Sequence, residues 1–287
     1  MVCLEKLEIH DYPKEIPLNK ISNWLRELCL LNNPDLTNDI FELIVDNCFH
    51  LVKLEIGGKP KEYNPHITLD GIQILWGSDF NYHDDEEDYR IHKGLRWGLV
   101  WFKIEYCIKI GGKALEMICN RFWESLASLS IIRNYYEFSA KIPDEALINF
   151  KNWHSLTHLE IVYCRNFDYD WIRNFSMYCK NLRYLNIQDC PVQESLEPLA
   201  EGCPYLEELN MGGDSWISEN ALVGLFQHKN LKIFHLGHFE HADIECVKTD
   251  VPVNYDFKMN KEIDNSPMNK ALNEAEKGKY IGKLLQI

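Results

Sequence analysis

The feature that most limits what this chain can become is a repeat. The pattern L-x-x-L-x-L, with conservative swaps, occurs nine times in 287 residues. It reads LEKLEI from Leu4, LRELCL from Leu25, LVKLEI from Leu51, LVWFKI from Leu99 and LASLSI from Leu126. It continues as LTHLEI from Leu156, LRYLNI from Leu182, LEELNM from Leu206 and LKIFHL from Leu231. Successive starts lie 21, 26, 48, 27, 30, 26, 24 and 25 residues apart. A near-constant period means that each unit is one supersecondary element, whose apolar face is completed only by stacking on its neighbours.

Residues 179–204 show the physics of one unit. Leu182, Leu185 and Ile187 alternate with Tyr184 and Asn186, so a short strand points the first set into a core and the second set away from it. Cys190 follows at a turn, and Leu196 and Leu199, three apart, share one face of a short helix. Cys203 closes that helix before the next strand. Stacked units of this kind predict an α/β leucine-rich-repeat solenoid. The expected shape is a horseshoe with a parallel sheet on its concave wall and helices outside, spanning residues 3–242 in about nine repeats.

The variable positions narrow the type. Cysteines recur at the turn (Cys107, Cys164, Cys190), with Asn33 and Asn134 in the same place elsewhere. Cysteines also recur three residues before the next repeat's first leucine (Cys48, Cys179, Cys203), a position that Trp123 and Trp153 take in other units. LTNDIFELIVDNC (36–48) and ISENALVGLFQH (217–228) follow the outline ITDxxLxxLAxxC. Over roughly residues 3–242 the chain thus resembles the cysteine-containing leucine-rich repeats of F-box/leucine-rich-repeat proteins. That resemblance implies the substrate-recognition part of an SCF-type ubiquitin ligase, with a Skp-type adaptor and a cullin as partners if an F-box is supplied upstream. The F-box opening L-P-x-E-[IL]-[LI] is absent, and the chain starts inside a repeat at Cys3-Leu4. The alternative is a stand-alone scaffold or inhibitor with no ligase link.

Two segments depart from the period. The 48-residue step from Leu51 to Leu99 holds one enlarged repeat with an acidic insertion, GSDFNYHDDEEDYRIHKG (77–94). Such a run is ordinarily a solvated loop, and a contact for a basic partner is its functional alternative. Residues 243–287 lose the repeat and read as a C-terminal cap or tail. Thirty basic against 44 acidic residues leave a net charge of −14, which opposes a nucleic-acid partner. There is no secretory signal pattern and no apolar run near the ~20 residues that span a bilayer, so no membrane partner is expected. Ten scattered cysteines without a CxxC pair suit a reduced intracellular protein, cytoplasmic or nuclear.

Catalytic signatures are missing: no G-x-S-x-G, H-E-x-x-H or phosphate-binding G-x-x-x-x-G-K-[ST] occurs, so no enzyme activity and no cofactor are expected. A zinc site is conceivable at His235, His238, His241 and Cys246, and a weaker one at His154, His158 and Cys164. Exposed polar residues explain the first set better. In the second, His158 faces the concave wall and Cys164 the core, so no metal is expected. Cys29 is the one cysteine in a concave strand position, and Glu27 beside it disfavours a thiolate.

Function is expected on the concave wall, where the repeat itself sorts the side chains. One column reads Lys6, Glu27, Lys53, Trp101, Ser128, His158, Tyr184, Glu208 and Ile233. A second reads Glu8, Cys29, Glu55, Lys103, Ser130, Glu160, Asn186, Asn210 and His235. The early repeats alternate acid and base, as in ordinary cross-strand pairing. The middle repeats gather Trp101, Lys103, Tyr106, Ile132, Arg133, Val162, Tyr163 and Tyr184. Large aromatics with an arginine on a rigid sheet are the material of interface hot spots. These eight are the candidate contacts for a protein target.

Overall fold

In the computed structural model, the described residues are 4–11, 24–76, 95, 98–122, 124–133, 153–164, 171–190, 196–211, 228–236 and 256–257. Ten strands form one parallel sheet in strict chain order. They are β1 (Lys6–Glu8), β2 (Glu27–Leu30), β3 (Lys53–Gly57), β4 (Trp101–Glu105), β5 (Ser128–Ile132), β6 (His158–Val162), β7 (Tyr184–Asn186), β8 (Glu208–Met211), β9 (Ile233–Leu236) and β10 (Asp256–Phe257). The first nine are the nine repeat motifs. The last continues the sheet past residue 242, where the repeat is no longer readable in the sequence.

Register follows the repeat. Lys53 lies beside Trp101, Trp101 beside Ser128, Ser128 beside His158, and His158 beside Tyr184. Strands β2 to β9 are entered through the same device: the carbonyl of the residue before one strand accepts two N–H groups from the next. The Val52 oxygen takes Val100 N (2.8 Å) and Trp101 N (3.0 Å), and the Ala127 oxygen takes Thr157 N and His158 N. A carbonyl has two lone pairs, so one oxygen locks the repeats in step without orphaning a donor.

The leucine columns form the core. Leu54, Phe102, Leu129, Leu159, Leu185 and Leu209 are all fully buried at the second core position, and the flanking columns are nearly as deep. Full burial of one such side chain contributes roughly 1.5–3 kcal/mol relative to exposure, so stacking drives the fold. Leu4, the first leucine of the first repeat, is exposed.

The opposite side of the core is made of short helices: α1 (Asp39–Asn47), α2 (Leu69–Trp76), α3 (Gly112–Phe122), α4 (Trp171–Ser176) and α5 (Glu197–Gly202). In α1, Ile40, Phe41, Ile44 and Val45 share one buried face, and Asp39 and Glu42 sit in the first turn where the helix dipole favours acids. Asn38 precedes it and reaches across to the next repeat, donating to Thr68 Oγ1 and accepting from Thr68 N.

Both cysteine positions have structural work. Cys48 and Cys203 are the residues after α1 and α5; each sends its N–H back to the helix, and its carbonyl accepts from the first leucine of the next strand. Cys179 makes the same pair of bonds. At the turn, the Cys107, Cys164 and Cys190 thiols point at carbonyls of their own or the neighbouring repeat. Asn33 fills that place in the second repeat and donates to Ile9 O and Leu31 O, both at 2.8 Å.

The enlarged third repeat has a second irregularity. Counting from Leu51, the turn residue falls at Lys59, but the chain first makes a short excursion. Lys59 and Glu62 exchange backbone hydrogen bonds there. Asn64 then takes the turn position, fully buried, donating to Asn33 O and Leu36 O and accepting from His66 N and Ile67 N. The acidic insertion 77–94 lies outside the described residues.

Candidate functional site

The inner wall is built by strand alternation, but its residues are not equally accessible. Trp101, His158 and Tyr184 occupy one column on β4, β6 and β7, with Ser128 of β5 between the first two. The rings lean over the serine. The Trp101 and His158 centroids are 6.3 Å apart, and those of His158 and Tyr184 are 5.8 Å apart with planes inclined by 27°. Ser128 and Ser130 are consequently buried although they face the open side of the sheet. His158 is exposed, and Trp101 and Tyr184 are half-buried. Lys53 Nζ sits 4.7 Å from the Trp101 ring centroid, a cation–π contact.

Beside this run, in the second concave column, lies a polar ladder. Glu160 accepts from Ser130 Oγ (2.5 Å) on one side and from Asn186 Nδ2 (2.7 Å) on the other, tying β5, β6 and β7 together. Lys103 pairs with Glu105 at 3.0 Å. Burial works against the Lys103 charge, but Glu105, Glu160 and Glu55 more than offset it and hold its pKa above the usual lysine value. Burial, with the charges of Glu160 and Glu208, pushes the Tyr184 hydroxyl up to about 12. Burial likewise raises Tyr106, helped by Glu105, Tyr163 and Glu160, so these four groups form one neighbourhood.

Of the eight residues expected here, six reach the surface in part: Trp101, Lys103, Tyr106, Ile132, Tyr163 and Tyr184. Two do not. Arg133 is buried (5% exposed), and its charge acts on the buried Cys164 thiol. Val162 is also 5% exposed: a short β-branched side chain beside Ile132 in the register does not reach solvent. Neither contributes to the accessible wall. Conversely, His158 and Glu160 belong to the concave columns in sequence, and only the geometry shows that one completes the ring run and the other holds the ladder.

Backbone conformation marks two of the tyrosines. Asp11, Asn32, Tyr106, Tyr163 and Asp189 all have positive φ, between 52° and 62°, and all fall seven residues after a repeat's first leucine. Asp and Asn tolerate this left-handed turn, whereas a bulky residue there is strained by roughly 1–2 kcal/mol. Tyr106 and Tyr163 are therefore held in place by their surroundings rather than by preference.

The thiols are poor nucleophile candidates. Cys29 is 8% exposed, and burial, with Glu55 and Glu8 from the flanking strands, raises its pKa to about 11. The expected acidic neighbour, Glu27, is replaced in that role by residues across the sheet. Burial disfavours the Cys164 thiolate, but Cys190 and Arg133 outweigh it and lower this thiol, while Cys190 is driven up. Cys164 thus has the positive neighbour that reactivity needs but is only 2% exposed.

Among the described residues, no three His, Cys, Asp or Glu side chains are grouped to hold a metal. His235 Nε2 lies 3.4 Å from Glu208, whereas His238, His241 and Cys246 lie outside the described residues. His158 is exposed on the concave column of β6, whereas Cys164, beyond the strand and after the left-handed Tyr163, is buried in the core. No helix among the described residues is long and apolar enough to cross a membrane.

One feature at the strand entrances was not legible from the repeat. Trp24, 57% exposed, stacks on His50 with centroids 4.8 Å apart and planes 2° apart, and with Glu5 and Arg26 the two line a shallow depression.

Parallel strands in chain order, one repeat per strand, define a leucine-rich-repeat solenoid. No protein-family model matches the chain. Three solved structures illustrate what it is similar to. The Rad7 and Elc1 complex of yeast matches at 15% identity and a TM-score of 0.38, covering 78% of this chain and 74% of that one. An internalin (inlF) of Listeria monocytogenes matches at 14% identity and 0.34, covering 92% and 88%. The TLR13–ssRNA13 complex matches at 16% identity and 0.48, covering 90% of this chain and 36% of that one.

Proposed function

We propose that the chain is a protein-binding solenoid that holds its target on the inner wall of the middle repeats and performs no chemistry on it. The observation that carries this reading is the ring run Trp101–His158–Tyr184, partly open to solvent on a parallel sheet whose floor is cross-linked by Glu160. Aromatic side chains on a rigid platform bury large areas on binding and lose little entropy, which makes them hot-spot material. Tyr106 and Tyr163, kept in a strained turn at the end of the same strands, extend the patch. Replacing Trp101 and Tyr163 together with alanine is expected to lower recovery of the native partner in a pull-down by at least about ten-fold, with an unchanged circular dichroism spectrum. Unchanged recovery from a folded double variant overturns the reading.

The finer proposal is that the target is a substrate of an SCF-type ubiquitin ligase. Its support is the resemblance of the repeat, with cysteines after the helices (Cys48, Cys179, Cys203) and at the turns (Cys107, Cys164, Cys190), to that of F-box/leucine-rich-repeat proteins. Affinity purification separates it from a stand-alone scaffold. A Skp-type adaptor and a cullin in the eluate support the ligase, and one stoichiometric partner without them supports the scaffold.

A further inference from the structure

The charges of the inner wall are not matched evenly along it. Each of its lysines answers a glutamate on its own strand: Lys6 with Glu8 at 2.8 Å, Lys53 with Glu55 at 3.1 Å, and Lys103 with Glu105 at 3.0 Å. Past β4 the two concave columns hold no lysine or arginine on β5 through β9, yet they hold Glu160, which acts on Lys103 of β4, and Glu208, 3.4 Å from His235 Nε2. The wall therefore carries surplus negative charge on its second half.

The rings show the same asymmetry. The face of Trp101 already receives a cation from the sheet itself, Lys53. His158 and Tyr184 form a second ring surface farther along, stacked at 5.8 Å, while Lys53 and Lys103 each pair with a glutamate of their own strand, β3 or β4. Tyr184 has Glu208 beside it in the register, and Glu160 lies next to Asn186 on the adjoining column. The Glu160 and Glu208 charges act together on the Tyr184 hydroxyl, so both carboxylates are close to the rings.

We infer that the β6–β8 part of the wall takes a cationic side chain of the partner, an arginine in an extended basic segment. The guanidinium lies on the Tyr184 and His158 rings and is paired by Glu208, with Glu160 behind. This rests on the protein-binding reading of the wall and names the chemistry of what it binds. Arginine fits better than lysine because a planar guanidinium stacks on a ring and offers a fork of N–H donors to a carboxylate at the same time. A net charge of −14 on the chain steers a basic segment toward it and a nucleic acid away.

The probe is a fluorescein-labelled octapeptide of alternating arginine and serine, followed by anisotropy on the full chain at about 0.1 M salt, where the Debye length is ~10 Å and general attraction is damped. The same peptide with glutamate for arginine is the counter-probe. Glu208→Gln and Tyr184→Ala are expected to weaken arginine-peptide binding about ten-fold each. Tyr184→Phe, which keeps the ring, and Glu42→Gln, the same charge change on exposed α1, are expected to alter it less than about two-fold. Equal losses in Glu208→Gln and Glu42→Gln, or equal binding of the glutamate peptide, overturn the inference. If the Trp101/Tyr163 double variant loses its native partner while the arginine peptide ignores Glu208→Gln, this inference fails alone. If partner capture is indifferent to the double variant, the reading beneath it fails.

Discussion

Replacing Glu160 with alanine removes a side chain that joins three strands of the inner wall. It severs the bonds from Ser130 Oγ and Asn186 Nδ2 and leaves both donors on residues that are only 4% and 6% exposed. A hydrogen bond to a charged group contributes ~1.5–3 kcal/mol, and a buried group left without its partner costs ~1–3 kcal/mol. Glu160 is itself half-buried, so water replaces part of what is lost, and the low end applies. The expected cost is about 2–3 kcal/mol. Glu160→Gln keeps an oxygen for one donor and an amide that can give to the serine oxygen, so its expected cost is about 1 kcal/mol or less. Urea unfolding reads both values. Amide exchange locates them, because in a stacked repeat a local defect is felt by neighbouring repeats first: protection is expected to fall in β5–β7 and to hold in β2–β3. An alanine variant within about 0.5 kcal/mol of the parent, or a glutamine variant as damaged as the alanine one, refutes the reasoning.

Two other perturbations test the packing. A Cβ built on Gly57 meets the Glu105 backbone oxygen at 2.1 Å, so Gly57→Ala must push β3 from β4. A loss of about 3 kcal/mol in urea is expected, and a change under 0.5 kcal/mol contradicts that close approach. Cys29, Cys48 and Cys203 are buried, and burial raises Cys29 and Cys48 to about 11 and Cys203 to about 12. A thiol raised in the folded state stabilises fully below its unfolded pKa, and that contribution is lost as pH climbs through the folded value. The urea midpoint is therefore expected to fall between about pH 9 and 12, and these three thiols to resist iodoacetamide at about pH 8 until the chain is unfolded. Rapid stoichiometric alkylation of native Cys29, or a midpoint that rises over that window, contradicts the assignment.

Much of the molecule follows from spacing alone. The L-x-x-L-x-L period places nine strands in order, and because side chains alternate along a strand, it also places every concave column in register. The row Lys53, Trp101, Ser128, His158, Tyr184 and Glu208 is the same in sequence and in space. Both cysteine positions fall where the repeat puts them, because a small apolar side chain fits under a turn whose donors and acceptors are met by backbone.

Other properties were settled only by packing. Nothing in the repeat says that Arg133 is buried near Cys164, or that Ser128 and Ser130 are buried on the open side of the sheet. A period gives the position of a Cα but not the direction of a long side chain, which depends on its neighbours. The left-handed turn after the strand is tolerated by Asp11, Asn32 and Asp189, yet it also holds Tyr106 and Tyr163. Asn64 acquires its role only because an excursion displaces the third repeat's turn. The sequence by itself determined a leucine-rich solenoid and the order of residues along its inner wall. The tertiary structure decided which of those residues are reachable, because accessibility is a property of how side chains from successive repeats cover one another.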